Sequence, residues 1–340
     1  MTMPSTELEQ ASAYTLRPTT RDDFDTYYDL YAAKHVEEYG AFHGTRADFE
    51  SELLSPGFDL ATDTLGVFTS DGRMIAVAEL WATSALPVHP VMWITMLPEH
   101  RGRGLEAKLC AWCEQRARGV FAKVPEDARV VLAAYMKEDN QWGRATVEAF
   151  GMTAEQRSHS MVIDLDDEPP APEWPEGIRV VTYAEHPNLR EFVIAHRESF
   201  RDHRGFTDAP LEHAMERWQH SIDNSEDFDP NLWVLALAGD EPAGVMMAWP
   251  SSEEDADQGW IDVVGVMRDH RRKGLGTALL REGFHRIRGI GKARAGLGVD
   301  AHSLTGATRL YERAGMRVNY AHIGYEKELR PGRELSVQSL

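Results

Sequence analysis

The apolar positions of this chain fall into two series of the same design. Residues 14–17 read as a short strand followed by an amphipathic helix over roughly 21–38, and residues 178–181 and roughly 186–199 repeat the pair. A second helix follows in each series. Two alternating apolar strands come next, joined by tight turns at Ser70-Asp71-Gly72 and Gly239-Asp240-Glu241. A third strand runs into a basic, glycine-containing turn, ending at Gly104 in the first half and Gly274 in the second. A long helix, another strand, a short helix and a Gly-Met pair (151–152 and 315–316) close each series. Arg271 lies 170 residues after Arg101, and Gly315 lies 164 after Gly151. So near a constant offset predicts a duplicated α/β domain with small loop insertions.

Between the series, IDLDDEPPAPEWPEG over 163–177 combines acids and prolines without a helical or strand period, which predicts an extended linker. The expected organisation is therefore a domain over 1–165, a linker over 166–177, a second domain over 178–330 and a tail over 331–340.

Composition narrows the function. The 340 residues carry a net charge of −19, which argues against general binding to nucleic acid. No apolar run approaches a membrane span, and MTMPSTELEQ has neither a basic start nor an apolar h-region, so a cytoplasmic location is expected. Cys110 and Cys113 read as small buried hydrophobes, with a redox or metal pair as the alternative; no second ligand pair accompanies them, so no metal is expected. Against the acidic background, residues 268–294 hold nine Lys and Arg and two acids. Such a focus suits a small polyanionic ligand, a solvated helix face being the bland reading.

The turn Arg271-Arg272-Lys273-Gly274-Leu275-Gly276-Thr277 carries the chemistry. Its glycines let backbone approach a ligand, and the following helix adds unpaired N–H groups and its dipole, a combination that holds a pyrophosphate. Leu279 stands where a dinucleotide fingerprint has its third glycine, and the order Gly-Lys-Ser/Thr of a nucleotide-triphosphate loop is absent.

With the strand ending Leu297-Gly298-Val299 and the block Gly306-Ala-Thr-Arg-Leu-Tyr311-Glu-Arg-Ala-Gly315-Met316, the second half resembles the GNAT superfamily of acyl-CoA-dependent N-acyltransferases. The first half resembles it less specifically, and the tandem layout is similar to two-domain actinobacterial members. The resemblance implies two tandem domains, each a mixed, mostly antiparallel sheet flanked by helices. It implies that acetyl-CoA is held at Val264, Val266, Arg271, Arg272, Lys273, Gly274, Gly276 and Thr277. The main chain of Val264 and Val266 would pair with the pantetheine arm where the strand splays, Gly265 easing the distortion. Tyr311 would protonate the departing thiolate, an uphill transfer of about 2 kcal/mol for a pKa 10 phenol and a pKa 8.5 thiol. Its alternative is a core aromatic.

Related enzymes often carry a base where this chain has Trp260; Asp262, two residues on, is the candidate here, a solvated or paired acid being the alternative. The loop Phe200–Phe206 is the expected acceptor-binding segment through Asp202, His203 and Arg204. In the first half Glu106 replaces Gly276 and Val147 replaces Tyr311, so no catalysis is expected there. His100 and His270, before the two turns, read as capping or packing residues. The leading expectation is an N-acetyltransferase for a small amine. A non-catalytic acyl-CoA-binding or regulatory protein and a protein or peptide acetyltransferase are the alternatives, as a monomer or homodimer.

Overall fold

The computed structural model of the chain describes residues 14–301 and 306–337. The amino-terminal stretch and the last three residues of the tail lie outside them. Two compact units result, Met1–Glu155 with Gly324–Arg333, and Gln156–Ile323 with Glu334–Leu340. Among the described residues no helix is long and apolar enough to cross a membrane.

The first unit runs β1 (Tyr14–Arg17), α1 (Phe24–Tyr39), α2 (Arg46–Leu53), α3 (Leu60–Asp63), β2 (Thr64–Thr69), β3 (Met74–Trp81), β4 (Val91–Met96), α4 (Leu105–Arg118), β5 (Val130–Lys137) and α5 (Gln141–Ala149). Strands β1 to β4 pair antiparallel in sequence order. The parallel match of β4 with β5 is the single pair Val91–Ala133. Residues Met74–Ala78 are all buried, as befits a central strand covered on both faces. Cys110 and Cys113 lie on the buried side of α4, where burial pushes the Cys110 thiol up to about 11 and raises Cys113 well above its ordinary value. Neither is a ready thiolate, which matches the buried-hydrophobe reading.

The second unit contains most of β6 (Thr153–Asp164), then β7 (Ile178–Thr182), α6 (Leu189–Phe200), α7 (Leu211–Asn224), β8 (Trp233–Ala238), β9 (Glu241–Trp249), β10 (Gln258–Val266), α8 (Leu275–Gly289), β11 (Arg294–Asp300), α9 (Ala307–Arg313) and the start of β12 (Arg317–Arg330). The strand order is β6-β11-β10-β9-β8-β7, antiparallel except for β10 against β11. One apolar cluster lies beneath α8 and includes Leu279, Phe284 and Ile287. Another lies on the opposite face beneath α6 and α7 and centres on Phe192, Trp233 and Met247. Each unit is thus a mixed, mostly antiparallel sheet flanked by helices, as expected.

The boundaries differ from the expected ones. Gly324–Arg333 belongs with the first unit because its side chains bury there: the fully buried Tyr325 donates its hydroxyl to Glu148 at 2.7 Å, and Arg330 donates to the carbonyl of Ala128. The linker is also no free tether. Arg288 donates to the carbonyl of Leu165 at 3.0 Å, Arg281 pairs with Glu173 at 3.0 Å, and Trp174 packs on the cluster under α8.

Those pairs revise the reading of the basic cluster. Arg286 is held by Glu282, Arg294 by Asp255, Arg268 and Arg271 by Asp202, and Lys292 by the carbonyl of Ala256. Of the nine bases between 268 and 294, only Arg272 lacks a partner among the described residues. The local charge excess is mostly structural.

Candidate active site

Parallel pairing of β10 with β11 runs from Gln258–Arg294 to Ile261–Leu297 and stops there. Beyond it the strands flank a cleft of about 800 Å³, within the size range of small-molecule sites. The opening starts at a bulge. Ile261 faces Ala248 and Val263 faces Met247, so Asp262 is an extra residue without a cross-strand partner. The bulge switches side-chain parity: Ile261 joins the cluster under α8, Val263 the one under α6, and Val264 returns to the α8 side. Gly265, expected to ease the distortion, lies in regular pairing with Val245. It is glycine for another reason. A Cβ there would sit 2.7 Å from the Cβ of Ser199, so its absence lets α6 rest directly on β10.

The cradle stands at one end of the cleft. Arg272 adopts φ 60° and Gly274 φ 90°, left-handed positions that curl the turn into a concave row of N–H groups. The amides of Arg272, Lys273 and Gly274 donate to no acceptor among the described residues. Those of Leu275 and Gly276, at the start of α8, have no intrahelical acceptor by geometry. Arg272, Gly274, Gly276 and Thr277 all line the cleft. The Thr277 amide is already bonded to the carbonyl of Gly274 at 3.1 Å, which leaves its hydroxyl.

Two side chains of the turn are bonded within the protein. Lys273 does not line the cleft, and its Nζ donates to the carbonyl of Asp269 at 2.9 Å. Arg271 lines the cleft but uses its guanidinium on the carbonyl of Val266 (3.0 Å), the carboxylate of Asp202 (2.6 Å) and the carbonyl of Ser199 (3.0 Å). It braces the cradle against β10 and α6. Val264 and Val266 line the cleft on the edge of β10 that has lost β11, yet the Val266 carbonyl is taken by Arg271.

Asp202 is the clearest correction on the acceptor side. It is buried, paired with both Arg268 and Arg271, and absent from the cleft wall. The Arg271 hydrogen bond holds its carboxyl below the usual range against the opposing effect of burial. It ties the loop to the cradle. Arg204 also lies off the cleft, whereas His203 lines it with its ring 4.3 Å from that of Phe200. Burial, with Arg271 beside it, pushes His203 below 6.5, so it is neutral at pH 7.

Tyr311 reaches the cleft from α9, with its ring in the cluster under α8 and 8% of the residue exposed. Tyr311 thus has a packed ring and an edge on the cleft. Its hydroxyl has no partner among the described residues, and burial raises its pKa to about 12. Asp262 is exposed in the cleft, while burial of its carboxyl by the surrounding walls raises it above the ordinary value. Trp260 does not line the cleft; its ring lies over Gly296 and Gly298 of β11. The sequence reading missed Ser199, whose buried hydroxyl lines the cleft without a partner among the described residues; a serine near a helix end gives no signal in sequence. His270 closes its turn through its own amide, bonded to the carbonyl of Met267 at 2.9 Å.

The first unit builds the same turn, with Gly102 at φ 73° and Gly104 at φ 79°. There Glu106 turns back on it and accepts the Gly102 amide at 2.6 Å. Arg101 spends its guanidinium on Glu37 and on the face of Trp142, His100 bonds the Tyr14 hydroxyl, and Val147 is buried.

Comparison with known proteins fits this geometry. Residues 190–316 match the sequence profile described as the Acetyltransferase (GNAT) family. The chain is 30% identical over 326 residues to the mycothiol acetyltransferase of Nocardiopsis dassonvillei, covering 88% of this chain and 92% of that protein. It is 32% identical over 230 residues to that of Thermobispora bispora, covering 64% and 69%. Among solved structures it is similar to a GCN5-related N-acetyltransferase from Sphaerobacter thermophilus, with TM-score 0.75, 31% identity and coverage of 96% and 98%. A tandem GNAT protein of the clavulanic acid biosynthesis pathway shares the fold at TM-score 0.68 and 16% identity, covering 94% and 100%.

Proposed function

The chain belongs to the GNAT acetyltransferase family, and from that premise we propose that it is an acetyl-CoA-dependent N-acetyltransferase acting on the amine of a small molecule, with its chemistry in the second unit alone. One observation carries the reading. A single cleft joins an open edge of β10 with a row of amides, Arg272 and the Tyr311 hydroxyl, which have no partner among the described residues.

These residues fit a diphosphate followed by an extended amide arm. The amides of residues 272–276 and the α8 dipole meet the phosphates, Arg272 adds the charge, and the edge of β10 at Val264 offers main-chain pairing. Acetyl-CoA supplies an acyl thioester there. The acceptor amine, brought in on the Ser199 and His203 side, attacks the thioester carbon as the C–S bond breaks. A β10 amide steadies the charge on the carbonyl oxygen, and Tyr311 gives its proton to the sulfur. The surplus amine proton leaves through water held at Asp262. At a pKa of about 12 the phenol is a weaker acid than the unshifted value implies, and transfer to a pKa 8.5 thiol is uphill by about 5 kcal/mol. The same burial raises the thiol and narrows the gap.

The test is release of free thiol from acetyl-CoA with an amine panel. Turnover confined to particular amines supports the reading. Binding of CoA with no turnover favours a non-catalytic acyl-CoA-binding protein.

A further inference from the structure

The loop joining α6 to α7 brings His203 to the cleft, and three fastenings hold it. At its start Asp202 is paired with Arg268 and Arg271. At its end Arg197 donates to the carbonyl of Ala209 and pairs with Asp208 at 3.6 Å. Its middle is held by residues far away in sequence. Gly205 donates to the carbonyl of Val337 at 2.8 Å, and Val337 donates in return to the carbonyl of Phe206 at 3.0 Å. The segment that does this is itself shaped. Ser336 is buried, and its amide and hydroxyl both donate to the carboxylate of Glu334, at 2.9 and 2.7 Å.

We propose that Glu334–Val337 is a clip that sets the acceptor side of the cleft, and that the chain's selectivity for its amine depends on it. The inference rests on the reading of this cleft as an acetyltransferase site. Gly205, at φ 83°, is the pliable point of the loop, and the two Val337 bonds fall on it and on the next residue. His203 lies between this anchor and Asp202, so the clip controls how far the ring can withdraw from the cleft. Loss of one main-chain hydrogen bond shifts a local equilibrium roughly fivefold, and loss of both roughly twenty-five-fold. The cradle at 271–276 is built on other elements and is braced by Arg271, so the diphosphate seat does not depend on the clip.

Three variants test this: a chain ending at Arg333, full-length Val337→Pro, which removes only the returning N–H, and Val337→Ala, which keeps both main-chain bonds. The readouts are hydrogen exchange of the Gly205 amide, CoA affinity by calorimetry, and steady-state kinetics with the best amine found in the panel. In the chain ending at Arg333, Gly205 exchange is expected to rise at least tenfold and KM for the amine at least fivefold; in Val337→Pro, which keeps the Gly205 bond to the carbonyl of residue 337, each is expected to rise by a smaller factor, up to about fivefold. Both kcat and CoA affinity should stay within about twofold, and Val337→Ala should match the wild type. Unchanged Gly205 exchange overturns the clip. Freed exchange with unchanged KM, or an equal loss of CoA affinity, overturns its role in selectivity. A wild type that binds CoA but acetylates no amine overturns the transfer reading and the selectivity claim with it, while Gly205 exchange still reports whether the clip exists.

Discussion

The carboxylate of Glu106 accepts the amide of Gly102 at 2.6 Å, so the first unit's turn holds one of its own side chains where the second unit's turn presents N–H groups with no acceptor among the described residues. Burial works against that charge, but the Gly102 amide and the Trp142 N–H outweigh it and hold the carboxyl below its usual range. A carboxylate is a fair mimic of a phosphate oxygen in such a nest.

Exchanging the two residues should therefore move the property. At Gly276 a Cβ would lie 3.3 Å from Leu310 and 3.5 Å from Val266, so a side chain fits with slight adjustment. Gly276→Glu is expected to fold, to fill the cradle as Glu106 does, and to weaken CoA binding at least a hundredfold by calorimetry. Glu106→Gly should free the Gly102 amide, which exchange of that proton will reveal. Undiminished affinity in Gly276→Glu would place the diphosphate elsewhere.

Asp202 should behave as a structural acid. Its side chain is 9% exposed but lies under Arg268, which is 72% exposed, so part of the attraction is screened by water. Asp202→Asn is expected to cost about 1–2 kcal/mol at pH 7 and to loosen the loop it anchors. Because the folded-state pKa is depressed, the wild type's advantage is present above the ordinary carboxyl pKa and lost as pH falls through the lowered one. Thermal melts of both proteins should converge in strong acid. A constant gap at every pH would mean that packing, not charge, is at stake.

Tyr311→Phe separates chemistry from packing. The hydroxyl has no partner among the described residues, so its loss should leave the melting temperature within a degree or two while kcat falls a hundredfold or more. With a pKa of about 12, the phenol stays protonated throughout the working range. No alkaline loss of activity below pH 10 should trace to it, and rate profiles of the wild type will check this. A mild kinetic effect would return Tyr311 to the status of a core aromatic.

How much of this was legible in the sequence follows from the range of each interaction. The doubled element order, the curled turn at Gly274 and the intrusion of Glu106 are local: they require certain residues within a few positions, and spacing reveals them. The two arginines on Asp202 come from 66 and 69 residues away, and the partners of the Gly205 loop from the far end of the chain. No period encodes such pairings, so Asp202 read as a ligand contact and the basic cluster as a polyanion site. The bulge at Asp262 was equally silent, because no glycine marks it, whereas Gly265 drew notice although its role is close packing on Ser199.

Asp262 offers the last test, in which activity and stability move in opposite directions. As the base-side group it must be ionised, and its carboxyl is raised by the protein around it. The acid limb of kcat/KM should therefore lie above the range of an ordinary carboxylate. Asp262→Asn should flatten that limb and lower kcat/KM at pH 7 by tenfold to a hundredfold. For stability the sign reverses. A folded pKa above the unfolded one means that the fold favours the protonated form, so ionisation strains the native state once pH exceeds the unfolded value. The asparagine variant should then melt higher than the wild type at neutral pH and match it in acid. A variant that loses both activity and stability at pH 7 would identify Asp262 as a structural acid of the bulge.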